Sequence, residues 1–276
     1  MPSNRFRDEV SRRRPAAVTV SLVVAICCGL AAQDAESQPS SRFVHTTTAE
    51  RGLSEWQTDG AVTLDHAVTR GGEATLRIDQ SDPSGTGRAL RRVAARDVAG
   101  DRVRVSGYLR TAAVTSGGAS LWLRVDGPSG LLDFDGMRER GVTGTADWAF
   151  YEVEAPLFPE ATEITFGVML RGSGTAWADD LSFTSLHTAD LPEPSAAARR
   201  YLQEALAVMR EHSLVRASTD WPALAAAALA QARGAVTSAD AHLAVSYALR
   251  RLGDNHSYLA SAGQSRRAGS MSRCAR

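Results

Sequence analysis

The chain has 276 residues, and its 31 basic and 31 acidic side chains give a formal net charge of zero. This balance, without a basic face or helix, argues against a nucleic-acid partner. Every basic residue is an arginine, and arginine keeps its proton in proteins, so a mechanism that needs a deprotonated lysine is excluded within this chain. The length suffices for one or two domains with cores of their own.

The pattern of residues 1–35 predicts a signal peptide. An arginine-rich start is followed by an apolar run over 16–32 and then by polar Gln33, and a run of about 17 residues is at the short edge for spanning a bilayer. We therefore expect export to the periplasm or the extracellular space, with no stable membrane span after cleavage. An uncleaved anchor, or a lipid anchor on Cys27 or Cys28, is the alternative. After cleavage Cys274 would be the last cysteine, so no intramolecular disulfide is expected.

Residues 43–187 alternate apolar and polar side chains in short runs separated by Gly, Pro and Asp. This pattern is typical of strands with one face on a core and one face in water. Seven or more such runs at turn-bounded spacing predict an antiparallel β-sandwich or jelly roll. The clearest runs are 62–65, 74–78, 102–110, 120–125, 150–153, 163–170 and 175–183.

A domain boundary is predicted where two prolines, Pro192 and Pro194, end the last strand. Ser195 can cap a helix directly after them, and its apolar residues recur at helical spacing. Asp220 is the expected cap of a second, alanine-rich helix that runs to Gly234.

A third helix is predicted from a variant capping box, in which Thr237 is followed three residues later by Asp240. Gly253 is expected to close it. The sequence thus predicts an α+β protein, with an N-terminal β-sandwich over 43–187 and a small three-helix domain over 195–262. The remaining residues, 263–276, have no apolar period and are predicted to be a disordered tail.

Three segments carry a resemblance to a known family: Tyr-Leu-Gln-Glu-Ala-Leu at 201–206, Asp-Trp-Pro-Ala-Leu at 220–224, and Leu-Gly-Asp-Asn-His-Ser-Tyr-Leu at 252–259. They resemble the helical domain that precedes the core of tail-specific, C-terminal-processing and tricorn-core-like serine peptidases. The specific part is Leu-Gly-Asp-x-His-Ser. The strand region before it is similar to the jelly roll that some secreted members carry in front.

The resemblance implies peptide-bond hydrolysis through an acyl-enzyme, with a peptide or protein as substrate of the intact family. The family's nucleophilic serine belongs to a later α/β domain, so we expect this chain to be the N-terminal portion of such a peptidase and inactive by itself. In the tricorn-like branch a histidine in the helical segment serves as base, and His256 matches it. His256 is the one candidate catalytic residue, and the alternative is that its ring shapes the turn after the third helix.

A second interpretation is a secreted carbohydrate- or protein-binding module without catalytic activity. Flat aromatic rings on a sandwich can stack on sugar rings, although Trp122 and Trp177 lie in alternating strands where core packing is the usual outcome. The sequence contains no cofactor-binding motif. The paired aspartates at strand ends are either calcium ligands through their oxygens or ordinary turn and edge residues. The candidate aromatic residues are Trp56, Tyr108, Trp122, Trp148, Tyr151 and Trp177, and the aspartates are Asp133, Asp135, Asp179 and Asp180.

Overall fold

The computed structural model describes residues 44–47, 52–137, 140–253 and 259. These residues form ten strands and three α-helices. The strands are β1 (Val44–Thr47), β2 (Gln57–Asp59), β3 (Ala61–Asp65), β4 (Thr75–Gln80), β5 (Thr86–Ala94), β6 (Arg102–Gly127), β7 (Gly130–Asp135), β8 (Val142–Pro156), β9 (Glu163–Arg171) and β10 (Gly174–Leu186), and the helices are α1 (Ala196–His212), α2 (Trp221–Gln231) and α3 (His242–Leu252).

All strand pairs are antiparallel, and the long strand β6 belongs to two layers. The first half of β6 pairs with β10 on one side and with β8 on the other. Strands β4 and β3 follow beyond β10 and complete the first layer, and β1 pairs with the end of β10. The second half of β6 pairs with β9 and β7, which with β5 and β2 make the second layer. Between the halves Ala113 has a φ of 53°, a left-handed conformation that interrupts the regular strand.

The core lies between the two layers and follows from the alternation of side chains along each strand. In β6 the residues Val103, Val105 and Leu109 of the first half and Leu121, Leu123 and Val125 of the second half are all buried in one cluster. Phe166 of β9 stacks on Phe183 of β10 with ring centroids 4.6 Å apart. The predicted antiparallel β-sandwich is therefore confirmed, together with the three helices that follow it.

Side-chain caps begin α1 and α2 where the sequence predicts them. Ala198 N donates to Ser195 Oγ at 3.1 Å, and Ala223 N donates to Asp220 Oδ1 at 3.1 Å. Each cap satisfies a backbone donor that the first helical turn leaves free.

The predicted third helix begins later than its capping box. Thr237 N donates to Asp240 Oδ2 at 2.7 Å and Asp240 N donates to Thr237 Oγ1 at 3.3 Å, so the reciprocal box is confirmed. The box closes turns that precede the helix, and α3 itself starts at His242. At its other end Gly253 adopts the left-handed conformation, with φ 68°, that a glycine allows without strain.

Arg102 joins the first layer to the end of α2. Its side chain is buried, and Nη1 donates to Glu154 Oε2 and to the Arg233 carbonyl, each at 3.2 Å, while Nη2 donates to the Gln231 carbonyl. Gln231 Nε2 in turn donates to the Asp101 carbonyl at 3.1 Å. The two bonds from Arg102 to the Gln231 and Arg233 carbonyls satisfy acceptors that the end of a helix leaves without partners.

Several predictions fall on residues outside the described ones: the signal peptide over 1–35, the tail over 263–276, and His256. The domain boundaries at 43–187 and 195–262 stay predictions. Among the residues that the structure describes, no helix is long and apolar enough to cross a membrane.

Candidate functional site

A groove of about 470 Å³ lies on the outer face of the second layer, and we call it the sheet groove. Its side chains point away from the core because they alternate with the buried residues of the same strands. Thus Trp122 and Arg124 of β6 face the groove, while Leu121 and Leu123 face the core. The lining residues are Arg88, Leu90, Arg92, Trp122, Arg124, Asp126, Phe134, Glu163, Thr165 and Met169.

Two aromatic rings lie side by side in the sheet groove. Trp122 forms the floor, is 5% exposed and packs with Leu90 and Met169. Phe134, on the edge strand β7, is 40% exposed, and its ring centroid is 6.4 Å from that of Trp122 with the planes tilted by 42°. The Trp122 Nε1 donor is buried and has no hydrogen-bond partner among the described residues. The groove therefore offers an accessible ring beside a buried one.

Gly167 lies at the floor of the sheet groove, at a position without room for a side chain. In the strand register it lies between Leu90 of β5 and Trp122 of β6. A Cβ at this position would come within 2.0 Å of the Ala89 carbonyl oxygen. Only glycine fits this close approach of the two strands.

The charged side chains of the sheet groove already have partners of opposite charge. Arg124 donates to Asp126 through Nε at 2.5 Å and Nη2 at 2.6 Å, a two-pronged pair. Arg92 lies 3.5 Å from Glu163, and Arg88 lies 3.0 Å from a carboxylate outside the groove lining, that of Asp59. The groove is polar at its rim but has little uncompensated charge.

A second cleft, of about 660 Å³, lies between the first layer, the edge strand β7 and the helical segment. Phe134 of β7 lines both this cleft and the sheet groove. Ion pairs dominate it: Glu154 accepts from Arg102 and Arg104, and Arg140 Nη2 donates to Asp135 at 3.1 Å. Burial raises the pKa of Asp133 to about 6, because removing a carboxylate from water disfavours its charged form. We interpret this cleft as a structural junction, since Arg102, Arg104 and Arg140 pair with its carboxylates.

The structure separates the aromatic residues singled out from the sequence. Of them, Trp122 lines the sheet groove, Trp56 is part of the core, and buried Trp177 donates its Nε1 proton to Asp65 at 2.8 Å. Tyr108 lies in the first layer, edge-on to Phe150. The expectation of packing in the core between the layers is wrong for both Trp122 and Trp177. Both indoles are buried, but Trp177 alternates with the core residues Ala176 and Ala178, as Trp122 does with Leu121 and Leu123, so each lies on the outer face of its layer.

Phe134 is not predicted from the sequence as a residue of the site. The turn signal Gly127-Pro128-Ser129 followed by the alternating segment 130–135 could have indicated a hairpin with Phe134 on the same face as Trp122. Calcium ligation by the four aspartates gains no support: among the described residues no group of three or more His, Cys, Asp or Glu side chains could hold a metal ion.

Comparison with known proteins identifies no family for this chain. No protein-family model matches it. One curated protein, the uncharacterized HTH-type transcriptional regulator YbfP of Bacillus subtilis (strain 168), is 39% identical over 85 residues, which are 30% of this chain and 28% of the regulator. The chain thus spans less than a third of the length of that protein.

Solved structures with a similar strand arrangement include carbohydrate-binding modules. The xylan-binding CBM22-1 domain of Paenibacillus barcinonensis Xyn10C is 12% identical with a TM-score of 0.43, and the match covers 54% of this chain and 96% of that domain. TmCBM61 in complex with β-1,4-galactotriose is 20% identical with a TM-score of 0.36, over 49% of this chain and 92% of that chain. Because these TM-scores are below 0.5, the likeness identifies no ligand for this protein.

The resemblance to tail-specific, C-terminal-processing and tricorn-core-like serine peptidases is wrong. No model of that family matches the chain, and the curated match is a regulator and not a peptidase. Capping residues and short helices recur in many unrelated proteins, so the segments at 201–206 and 220–224, and the Leu252-Gly253 helix end, indicate local helical structure without indicating a family. The assignment of His256 as a catalytic base loses its basis with the family.

Proposed function

We propose that this protein is a binding module without catalytic activity, and that it binds a carbohydrate in the sheet groove. The observation that carries the proposal is the pair Trp122 and Phe134, with the partly exposed ring of Phe134 beside the buried indole on the outer face of the second layer. The C–H face of a pyranose is apolar and stacks on such a ring, while its hydroxyls reach polar groups at the rim.

The charge pattern favours a neutral glycan. Arg124 is occupied by Asp126, and Arg92 lies beside Glu163. An acidic sugar would have to compete with these carboxylates, whereas a neutral hydroxyl can accept from an arginine N–H that the ion pair leaves free. Binding should therefore depend weakly on salt concentration.

The proposal is tested by affinity measurements on a panel of neutral and acidic polysaccharides. Phe134→Ala should weaken binding to the neutral ligand about tenfold, because a stacked ring contributes roughly 0.5–1.5 kcal/mol beyond its buried area. The matched control is Phe150→Ala, which removes a ring that is 53% exposed on the other layer. Binding to no neutral glycan, or an equal loss in both variants, would contradict the proposal.

Tryptophan fluorescence provides a second measurement. A ligand over the sheet groove should change the emission of Trp122, and Trp122→Phe should remove that change while it keeps a ring at the floor. If the emission change persists in Trp122→Phe, the ligand binds elsewhere.

Export of the chain is also a proposal, supported by the basic start and apolar run within 1–35. N-terminal sequencing of the exported protein would locate the cleavage site, which we expect within the small residues before Gln33. An intact N-terminus on cell-associated protein would argue against a cleaved signal.

A further inference from the structure

An apolar groove of about 510 Å³ lies between α1 and α3, and we call it the helix groove. Its apolar lining includes Tyr201, Ala205, Val208, Val245, Leu249 and Leu259. Glu204 and His212 also line it. The groove is separate from the sheet groove, which belongs to the second layer of the sandwich.

Along α1 the lining residues recur at helical spacing. Tyr201, Ala205, Val208 and His212 follow one another at intervals of four, three and four residues, so they occupy one stripe of the helix. Val208, at the middle of the stripe, is 58% exposed. A stripe of this kind beside an apolar groove marks an interaction surface.

We propose that the helix groove binds the helix groove of a second copy of this chain, in a dimer with two-fold symmetry. A two-fold axis at Val208 makes the two copies of α1 antiparallel. A residue four positions before Val208 then lies opposite a residue four positions after it. Glu204 of one copy meets His212 of the other, and the pair forms twice.

This complementarity is what selects a second copy as the partner. An isologous interface must match itself, and the helix groove does so, because a carboxylate and an imidazole lie at equal distances from the central valine. Within one chain the charged atoms of Glu204 and Arg200 are 4.0 Å apart, and those of His212 and Glu211 are 3.8 Å apart. Both are long contacts at exposed positions. Such surface pairs contribute little, so both side chains can turn to a partner.

The dimer would carry two sheet grooves on one assembly. Two linked sites bind a repeating polymer more tightly than either does alone. The dimer itself does not depend on the proposed carbohydrate function, since its evidence lies entirely in the helical segment.

Sedimentation of the full chain over a range of concentrations, under reducing conditions, tests the proposal. We expect a reversible monomer–dimer equilibrium. Val208→Glu should weaken the dimer at least about tenfold, because each dimer would bury two unpaired carboxylates. The matched control is Val236→Glu: Val236 is 71% exposed in the same helical segment and lies outside the helix groove, so the dimer should persist.

A charge exchange tests the antiparallel arrangement. Glu204→His alone or His212→Glu alone places like groups opposite each other and should weaken the dimer roughly two- to thirtyfold. The double variant restores both pairs and should recover the original affinity, which a merely structural effect of either change would not do. A chain that stays monomeric throughout, a dimer insensitive to Val208→Glu, or a double variant no better than the single ones would overturn the proposal.

Discussion

Replacing Arg102 by leucine should weaken the contact between the end of α2 and the sandwich. The guanidinium donates to the carbonyls of Gln231 and Arg233 and to Glu154. Glu154 keeps Arg104 as a partner, with Nε 2.6 Å from Oε1, so no carboxylate is left without a cation. Two carbonyls at the end of α2 lose their donor, and each unsatisfied buried acceptor costs about 1–3 kcal/mol.

We expect the free energy of unfolding to fall by about 3 kcal/mol in Arg102→Leu. This value is near the lower end of the summed cost of the two carbonyls because burial of the charged guanidinium is itself unfavourable. That desolvation lowers the pKa of Arg102 in the folded protein, and the leucine variant no longer carries this cost. Denaturant unfolding followed by circular dichroism measures the loss. Hydrogen exchange should locate it, with faster exchange of amides in α2 and unchanged protection in β9 and β10.

The matched control is Arg124→Leu, also on β6. Arg124 pairs with Asp126 at a partly exposed position, and such pairs contribute about 0–1 kcal/mol. The reasoning is refuted if the two variants are equally stable, or if exchange in α2 stays at its original rate in Arg102→Leu.

Two further predictions concern carboxylates of the sandwich. The Trp177 N–H lowers the pKa of Asp65 to about 2; since this lies below the unfolded value of about 3.9, the stabilisation is present above pH 4 and is lost as the pH falls towards 2. Trp177→Phe should therefore cost about 1.5–3 kcal/mol more at neutral pH than at pH 2, on top of a packing loss that does not depend on pH, and equal losses at both pH values in denaturant titrations would contradict this. For Asp133 the sign is opposite: burial raises its pKa to about 6, so stability falls as the pH rises from about 4 to 6. Asp133→Asn should raise the free energy of unfolding at pH 7 and leave it unchanged at pH 4, and a variant no more stable than the original at pH 7 would disprove the burial argument.

Local features of the fold could be predicted from the sequence because they depend on neighbouring residues. The run 120–125 alternates in the sequence and in the structure, where Leu121 and Leu123 are buried on the core side. Ser195 and Asp220 cap helices as their hydrogen-bonding chemistry requires.

The candidate site was predictable in part. The sequence predicts Trp122 as a possible stacking residue, but alternation alone does not tell which face of a strand is covered by another layer and which forms a groove. Phe134 becomes significant only when β7 pairs with β6 and places it opposite Arg124. The family resemblance failed for a related reason, since short helical segments describe local structure and not the site that a fold carries.

By itself the sequence determined much of the secondary structure. The alternation of the central strands, the caps of α1 and α2, and the left-handed glycine that ends α3 all follow from interactions within a few residues along the chain. Only the tertiary structure decided that β6 serves two layers, that Arg102 binds carbonyls about 130 residues further along, and that Trp122 and Phe134 share one groove. These outcomes depend on contacts between distant segments. Their free energies arise from burial and pairing that no single segment possesses before the chain has folded.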